Sequence, residues 1–277
     1  MAEGRVGLIA GGGALPGLAR RCLVEAGFDV AVLGFEGITE PALAPPAAHL
    51  RLGQVEALVS RMRTAQVDSL LMVGRFDPAL AEASAARLTP DATARRLFEG
   101  MAPGAHVAWM SAVADFLEAE GLPLARQDVL LAPLLARRGP LGASMPGPTH
   151  HGDLAAGRRE INAQAASVLG QAVAIKEGCV VARETPAGTD ALIREAGRVA
   201  GNGFVIVKAA RPGQDPRLDL PAIGPTTIAA LAEAGGAGLA IEAERTIVID
   251  APRVAAEADR CGVIVWAFDP DETAGGH

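Results

Sequence analysis

Between Lys208 and Ile228 the chain gathers the side chains with which phosphate chemistry is done: Lys208, Arg211, Gln214, Asp215, Arg217 and Asp219, then Thr226 and Thr227. Pro212, Pro216, Pro221 and Pro225 punctuate the same stretch. Each proline fixes its own φ and restrains the residue before it, so the loop is stiffened along its length. A long loop without secondary structure inside a compact domain is usually functional or disordered, and the prolines argue against disorder. Cations, carboxylates and the N–H groups of a helix start suit a phosphate bound together with a divalent metal. The prolines also favour extended chain from Asp215 to Asp219, which points Arg217 and Asp219 the same way. An aspartate beside an arginine stays ionised near neutral pH, as a metal ligand or a water-orienting base must. A solvated, salt-bridged connection would draw on the same residue types.

Two further stretches carry candidate chemistry. Gly11, Gly12 and Gly13, with Leu15 and Pro16 behind them, follow a short apolar run. A dinucleotide site wants Gly-x-Gly-x-x-Gly and a later acid; here Pro16 takes the third position and Glu36 is the acid. The more general expectation is backbone N–H groups close to a phosphate, against the alternative of a tight structural turn. Thr189 and Asp190 stand where a strand exit enters a helix, as caps or as the edge of an anion site. His150 and His151 are adjacent and share no face of a helix or strand, so the pair reads as linker rather than metal site. No nucleophile elbow, Walker lysine or His-Glu-x-x-His motif occurs.

The elements that must hold these residues follow from the apolar pattern. Val6–Ala10, Asp29–Gly34 and Ser69–Gly74 read as strands, alternating with helices over Leu18–Ala26, Val55–Ala65 and Val107–Glu120. That alternation predicts a doubly wound, mainly parallel sheet with ligands at the strands' carboxyl ends. Gly and Pro dominate from Ala136 to Gly157, which predicts an interdomain connection and a boundary near Arg138. A helix around Arg158–Ala166 follows, then paired strands Ala172–Ile175 and Cys179–Glu184 and a helix over Asp190–Ala200. Phe204–Val207 leads into the long loop, whose exit is a helix from Ile228 to Ala234. Leu239–Glu242, Thr246–Asp250 and Val263–Phe268 read as strands, with a helix over Pro252–Arg260 and a frayed tail from Asp269. The expected fold class is thus α/β with two domains: residues 1–138, a Rossmann-like doubly wound parallel sheet, and residues 139–277, a mixed α/β domain carrying the loop 208–228.

Composition limits the partners. With 277 residues and half of them hydrophobic, the chain can build two cores. Seven Phe, two Trp and no Tyr make those cores aliphatic and provide no stacking platforms for single-stranded nucleic acid. A net charge of −7 argues against a polyanion held by bulk electrostatics, so any phosphate is met locally. Cys22, Cys179 and Cys261 are odd in number and far apart, as free thiols of a reducing compartment are. No stretch is long enough for a signal peptide or a span, and the expected location is the cytoplasm.

Gly7-Leu-Ile-Ala-Gly-Gly-Gly-Ala-Leu-Pro16, Gly188-Thr-Asp-Ala-Leu-Ile193 and, above all, Lys208 through Ile228 resemble the LpxI family of UDP-2,3-diacylglucosamine pyrophosphatases of lipid A biosynthesis. The likeness extends to Asp153…Gly157 and to Ala258-Asp-Arg-Cys-Gly262. It implies a cytoplasmic, Mg²⁺-dependent hydrolase that splits UDP-2,3-diacylglucosamine into UMP and 2,3-diacylglucosamine 1-phosphate (lipid X). It also implies two α/β domains with the lipid sugar phosphate between them, a homodimer, and transient contact with the inner membrane surface. By position Asp219 matches the family's essential acid, and Lys208, Gln214, Arg217, Thr226 and Thr227 fall where phosphate and sugar contacts are expected. Asp219 would hold Mg²⁺ or orient water, with Asp215 and Asp190 as lesser ligands. Lys208 and Arg217 would meet the developing charge, and Gly11–Gly13, Leu15, Pro16, Thr189 and Asp190 the substrate. The chain departs from the family at Gly104-Ala105-His106, where Gly-Asp-Asp is usual, and at Ala187, where Glu is usual. A non-catalytic nucleotide-sugar or lipid-binding protein and an NAD(P)-dependent oxidoreductase are the alternatives.

Overall fold

The structure, a computed structural model, describes residues 4–45, 48–76, 89–101, 106–163 and 170–270, with residues 106 and 107 by backbone alone. The chain divides into two compact units: Met1–Pro133 with Asp215–Asp219, and Leu134–Gln214 with Leu220–His277. The long loop therefore leaves the second unit for a few residues and returns to it.

In the first unit the apolar runs become β1 (Arg5–Ala10), β2 (Asp29–Phe35), β3 (His49–Leu50) and β4 (Ser69–Val73). They form a parallel sheet in the order β3-β2-β1-β4, the order in which doubly wound folds begin. The helices are α1 (Leu15–Glu25), α2 (Val55–Thr64), α3 (Ala92–Phe98), α4 (His106–Ala119) and the single turn α5 (Gln127–Leu130). Successive strand residues point to opposite faces. Ile9, Leu33, Leu70 and Met72 therefore meet Leu58 and Met62 of α2 and Ala114 and Leu117 of α4 in one core. Leu8 and Leu71, fully buried, turn the other way, toward α1, which packs on β1, β2 and β4 through Ala19, Cys22 and Leu23. Helix α1 begins at Leu15, ahead of the predicted Leu18, because Pro16 lies in the first turn, where a missing N–H costs no hydrogen bond.

The second unit is built on β5 (Gly139–Pro140), β6 (Ala172–Lys176), β7 (Cys179–Arg183), β8 (Val205–Lys208), β10 (Gly238–Glu242) and β12 (Ile264–Phe268), in the order β5-β12-β10-β8-β6-β7. Strands β8, β10 and β12 run parallel, while β6 and β7 form a hairpin antiparallel to β8. Glu177 and Gly178 make the hairpin turn with φ of 52° and 76°, the left-handed pair that matches strand twist. Strands β9 (Ala222–Ile223) and β11 (Ile247–Val248) form a separate parallel pair, the latter shorter than the predicted Thr246–Asp250. Helices α7 (Thr189–Ala200), α8 (Pro225–Glu233) and α9 (Ala251–Cys261) bury Ile193, Leu231 and Val254 against Phe204, Ile206 and Leu239 on one face. Helix α6 (Pro148–Ala163) buries Leu154 and Ile161 against Val205 and Val207 on the other.

The stretch predicted as a linker, Ala136–Gly157, is instead part of this unit. It supplies β5, paired antiparallel with β12, and then enters α6 at Pro148. His150 lies in that helix, its Nδ1 accepting the Gly147 N–H at 3.2 Å and its ring edge-on to Trp266. Buried Asp153 accepts the Gly178 N–H at 2.7 Å and pins the hairpin tip. A Cβ at Gly157 would stand 2.4 Å from Val207 Cγ2, so glycine lets α6 lie directly on β8. Gly157 serves close packing, a use that composition alone does not separate from loop.

Candidate active site

The apolar run of β8 ends in Lys208, which is only 8% exposed. A buried ammonium needs a partner, and Lys208 Nζ donates to Thr189 Oγ1 at 2.7 Å. Thr189 is the first residue of α7, behind Gly188 at φ 85°. Its hydroxyl accepts from Lys208 and donates to Glu184 Oε1 at 2.5 Å, and Glu184 Oε2 accepts the Gln171 N–H at 2.6 Å. The sequence predicts Thr189 or Asp190 as the cap of this helix; in the structure Gly188 is the N-cap, Thr189 is engaged with Lys208 and Glu184, and Asp190 is exposed in the first turn. Lys208 and Thr189, predicted separately, are thus brought together. Glu184, which completes the chain of hydrogen bonds, is absent from the predicted set, though a carboxylate at a strand exit before a helix is a readable signal.

A second carboxylate stands at the same carboxyl edge. Glu242 ends β10, is 5% exposed, and accepts the Ala210 N–H at 2.8 Å just past Lys208. Burial pushes its carboxyl above the ordinary range, opposed by the Ala210 N–H and by Arg245 and Arg158. An acid that closes an otherwise apolar strand, Leu239-Ala-Ile-Glu242, was its signal in the sequence.

Where extended chain is predicted from Asp215 to Asp219, the structure has a turn. The N–H groups of Leu218 and Asp219 both donate to the Asp215 carbonyl, at 3.2 and 3.4 Å. Asp215 Oδ1 accepts the Arg217 N–H at 2.9 Å, an Asx arrangement in which a short polar side chain closes the turn on its own backbone. Leu218 is 7% exposed and joins the first unit's core, and the Pro216 carbonyl accepts the Gln127 N–H at 2.8 Å. Gln127, itself buried, donates through Nε2 to the Met72 carbonyl at 2.7 Å, tying the turn's support to β4.

Arg217, predicted to meet phosphate, faces carboxylates instead. Its Nη2 lies 2.6 Å from Asp215 Oδ2 and 3.5 Å from Asp115 Oδ1, and its Nη1 lies 2.6 Å from Glu118 Oε1. The hydrogen bond to Arg217 holds Asp215 below the ordinary carboxylate range, and Asp215 followed by Glu118 raises the guanidinium further. Asp219, next along the turn, is exposed.

Around this turn, Gln214 Oε1 accepts the Arg211 N–H at 3.0 Å, closing the loop on itself. Helix α8 starts at Pro225, before the predicted Ile228, so Thr226 and Thr227 lie in its first turn. Thr226 is exposed, and Thr227 Oγ1 accepts the Gly224 N–H at 3.4 Å. In the glycine turn, the Gly11 N–H donates to the Val73 carbonyl and the Gly12 N–H to the Arg75 carbonyl, each at 2.8 Å. Those two N–H groups join the ends of β1 and β4, while Gly13, at φ 90°, is exposed. Leu15 is half-buried and Pro16 buried against Gly74. Ala187 is exposed in the turn before α7, and Ala105 lies outside the described residues. Among the described residues no three His, Cys, Asp or Glu side chains gather to hold a metal, and no helix is long and apolar enough to cross a membrane.

Residues 5–134 match the LpxI N-terminal domain and residues 137–266 the LpxI C-terminal domain. Over 281 residues the chain is 32% identical to the UDP-2,3-diacylglucosamine pyrophosphatase LpxI of Caulobacter vibrioides, spanning 97% of this chain and 99% of that protein. With both domains matched and the likeness running nearly end to end, this chain belongs to the LpxI family.

Proposed function

We propose that the chain hydrolyses the diphosphate of UDP-2,3-diacylglucosamine to UMP and 2,3-diacylglucosamine 1-phosphate, a step of lipid A biosynthesis. The observation that carries this is the near full-length likeness to a UDP-2,3-diacylglucosamine pyrophosphatase. Water adds to one phosphorus, the bridging P–O bond breaks, and each product leaves with its own phosphate. Such a reaction depends on neutralised charge and an aligned water more than on covalent catalysis. Lys208, held by Thr189, supplies a fixed positive charge, and a fixed charge needs no reorganisation when the transition state forms. Asp219 holds or orients the water. The first turns of α7 and α8, with Asp190, Thr226 and the exposed Gly13, are the proposed contacts to phosphate and sugar.

Mg²⁺, which the family implies, fits Asp219 and does not fit Asp215. Mg²⁺ takes one or two carboxylates together with substrate phosphates and water; Asp219 is exposed at the surface, where substrate and water can reach it, and both Asp215 oxygens accept from Arg217. When bound, the ion would neutralise charge on the diphosphate. The proposal places the protein in the cytoplasm, touching the inner membrane surface to reach a lipid substrate, as a homodimer.

Incubation of purified protein with UDP-2,3-diacylglucosamine and Mg²⁺ should release UMP, and Asp219→Ala should abolish release while the far-ultraviolet spectrum and melting temperature stay unchanged. Full turnover by that variant would remove Asp219 from the mechanism. No UMP from the wild-type chain would remove the function.

A further inference from the structure

We infer that Arg217 is a positioning residue: it clasps the Asp215–Asp219 turn to α4 through Glu118 and Asp115, and so aims Asp219, without touching phosphate itself. The inference rests on the role proposed for Asp219 above. Its basis is the occupancy of the guanidinium. Nε lies 3.0 Å from both Asp215 oxygens, Nη2 faces Asp215 and Asp115, and Nη1 faces Glu118. Every nitrogen of the fork thus has a carboxylate before it. Three carboxylates around one guanidinium leave a net negative site, which repels a diphosphate rather than attracting it.

The same arrangement explains why a clasp is needed. The turn is also held by the Leu218 side chain in the core and by the hydrogen bond from Gln127 to the Pro216 carbonyl. Both of these contacts are made by Pro216 and Leu218, in the middle of the turn. Arg217 grips Asp215 within the turn and Glu118 on α4, and so ties the turn to that helix. The planar guanidinium can serve both acids at once in fixed geometry, which a lysine ammonium cannot. Where a divalent cation could sit among Asp115, Glu118 and Asp215, the guanidinium already sits.

The test uses the full chain with Asp115→Asn and Glu118→Gln together, which cuts the clasp to α4 and keeps the Asp215–Arg217 pair. The Leu218 and Asp219 amides both donate to the Asp215 carbonyl, so their hydrogen exchange reads the turn directly. Both should exchange about tenfold faster, on the scale of losing partly exposed ion pairs. UMP release should lose about tenfold in kcat with KM within about twofold, at an unchanged melting temperature. Arg217→Lys should behave the same way. Exchange or kcat in the double variant within about twofold of wild type would overturn the clasp, as would a fall in affinity for UMP confined to Arg217→Lys. The exchange arm needs no substrate, so it decides the clasp even if the wild-type chain releases no UMP and the functional reading fails.

Discussion

Thr189 has one hydroxyl and two charged neighbours, and it satisfies both by accepting from Lys208 and donating to Glu184. Removing that hydroxyl leaves a buried ammonium without its acceptor, a loss worth about 1–3 kcal/mol. Thr189→Val should therefore lower stability by about that amount in chemical denaturation and cut UMP release more than tenfold, while Thr189→Ser should restore both. Equal behaviour of the valine and serine variants would mean that Lys208 does not depend on this contact. The contact between Lys208 and Thr189 joins two residues that stand out in the sequence, because polar residues at the ends of apolar runs do. Glu184 and Glu242 left a signal only in their position at strand exits, and Glu118 left none, because a lone glutamate on a helix looks the same whether it faces solvent or a guanidinium.

At the scale of elements, the glycine turn joins β1 and β4 by backbone contact. A Cβ on Gly11 would lie 2.8 Å from the Arg75 carbonyl oxygen and 2.9 Å from the Gly74 carbonyl carbon. Backbone atoms cannot swing aside as a flexible side chain does, so Gly11→Ala should destabilise by about 1–3 kcal/mol. Gly17, inside α1 with nothing within 4 Å of a Cβ, is the control. Gly17→Ala should stabilise by about 0.4–1 kcal/mol through the entropy of the unfolded chain. Thermal melts of the two variants should move in opposite directions; a neutral Gly11→Ala would return the glycines to ligand binding alone. The sequence placed β1, β2, β4, α1, α2 and α4 to within a few residues, since apolar periodicity reports burial directly, but it did not give the short β3, α3 and α5. It misread Ala136–Gly157 because Gly and Pro mark both linkers and the close approach of helix to sheet, as at Gly157.

For the whole molecule, pH acts on folding through Glu242. Its carboxyl is raised by burial, so the folded chain binds that proton more tightly than the unfolded chain does. Folding is favoured at pH below the ordinary glutamate range, and the advantage is lost as pH rises through the folded value. Each tenfold difference in proton affinity is worth about 1.4 kcal/mol. Glutamine keeps an acceptor for the Ala210 N–H and carries no charge. The melting temperature of Glu242→Gln should therefore gain on wild type as pH rises from about 4 to about 7. A constant difference across that range would show that Glu242 is solvated in the folded chain. The net charge of −7 does not enter this comparison, because the two proteins share every other ionisable group.

Apolar spacing was sufficient by itself to give the α/β class and the alternation of strands and helices, because each depends on neighbours near in sequence. Tertiary structure alone decided that Asp215–Asp219 folds as a turn belonging to the first unit, and that Arg217 answers to Asp115 and Glu118 about a hundred residues earlier. The energy of a charge is set by what surrounds it in space, and the order of residues along the chain does not carry that information.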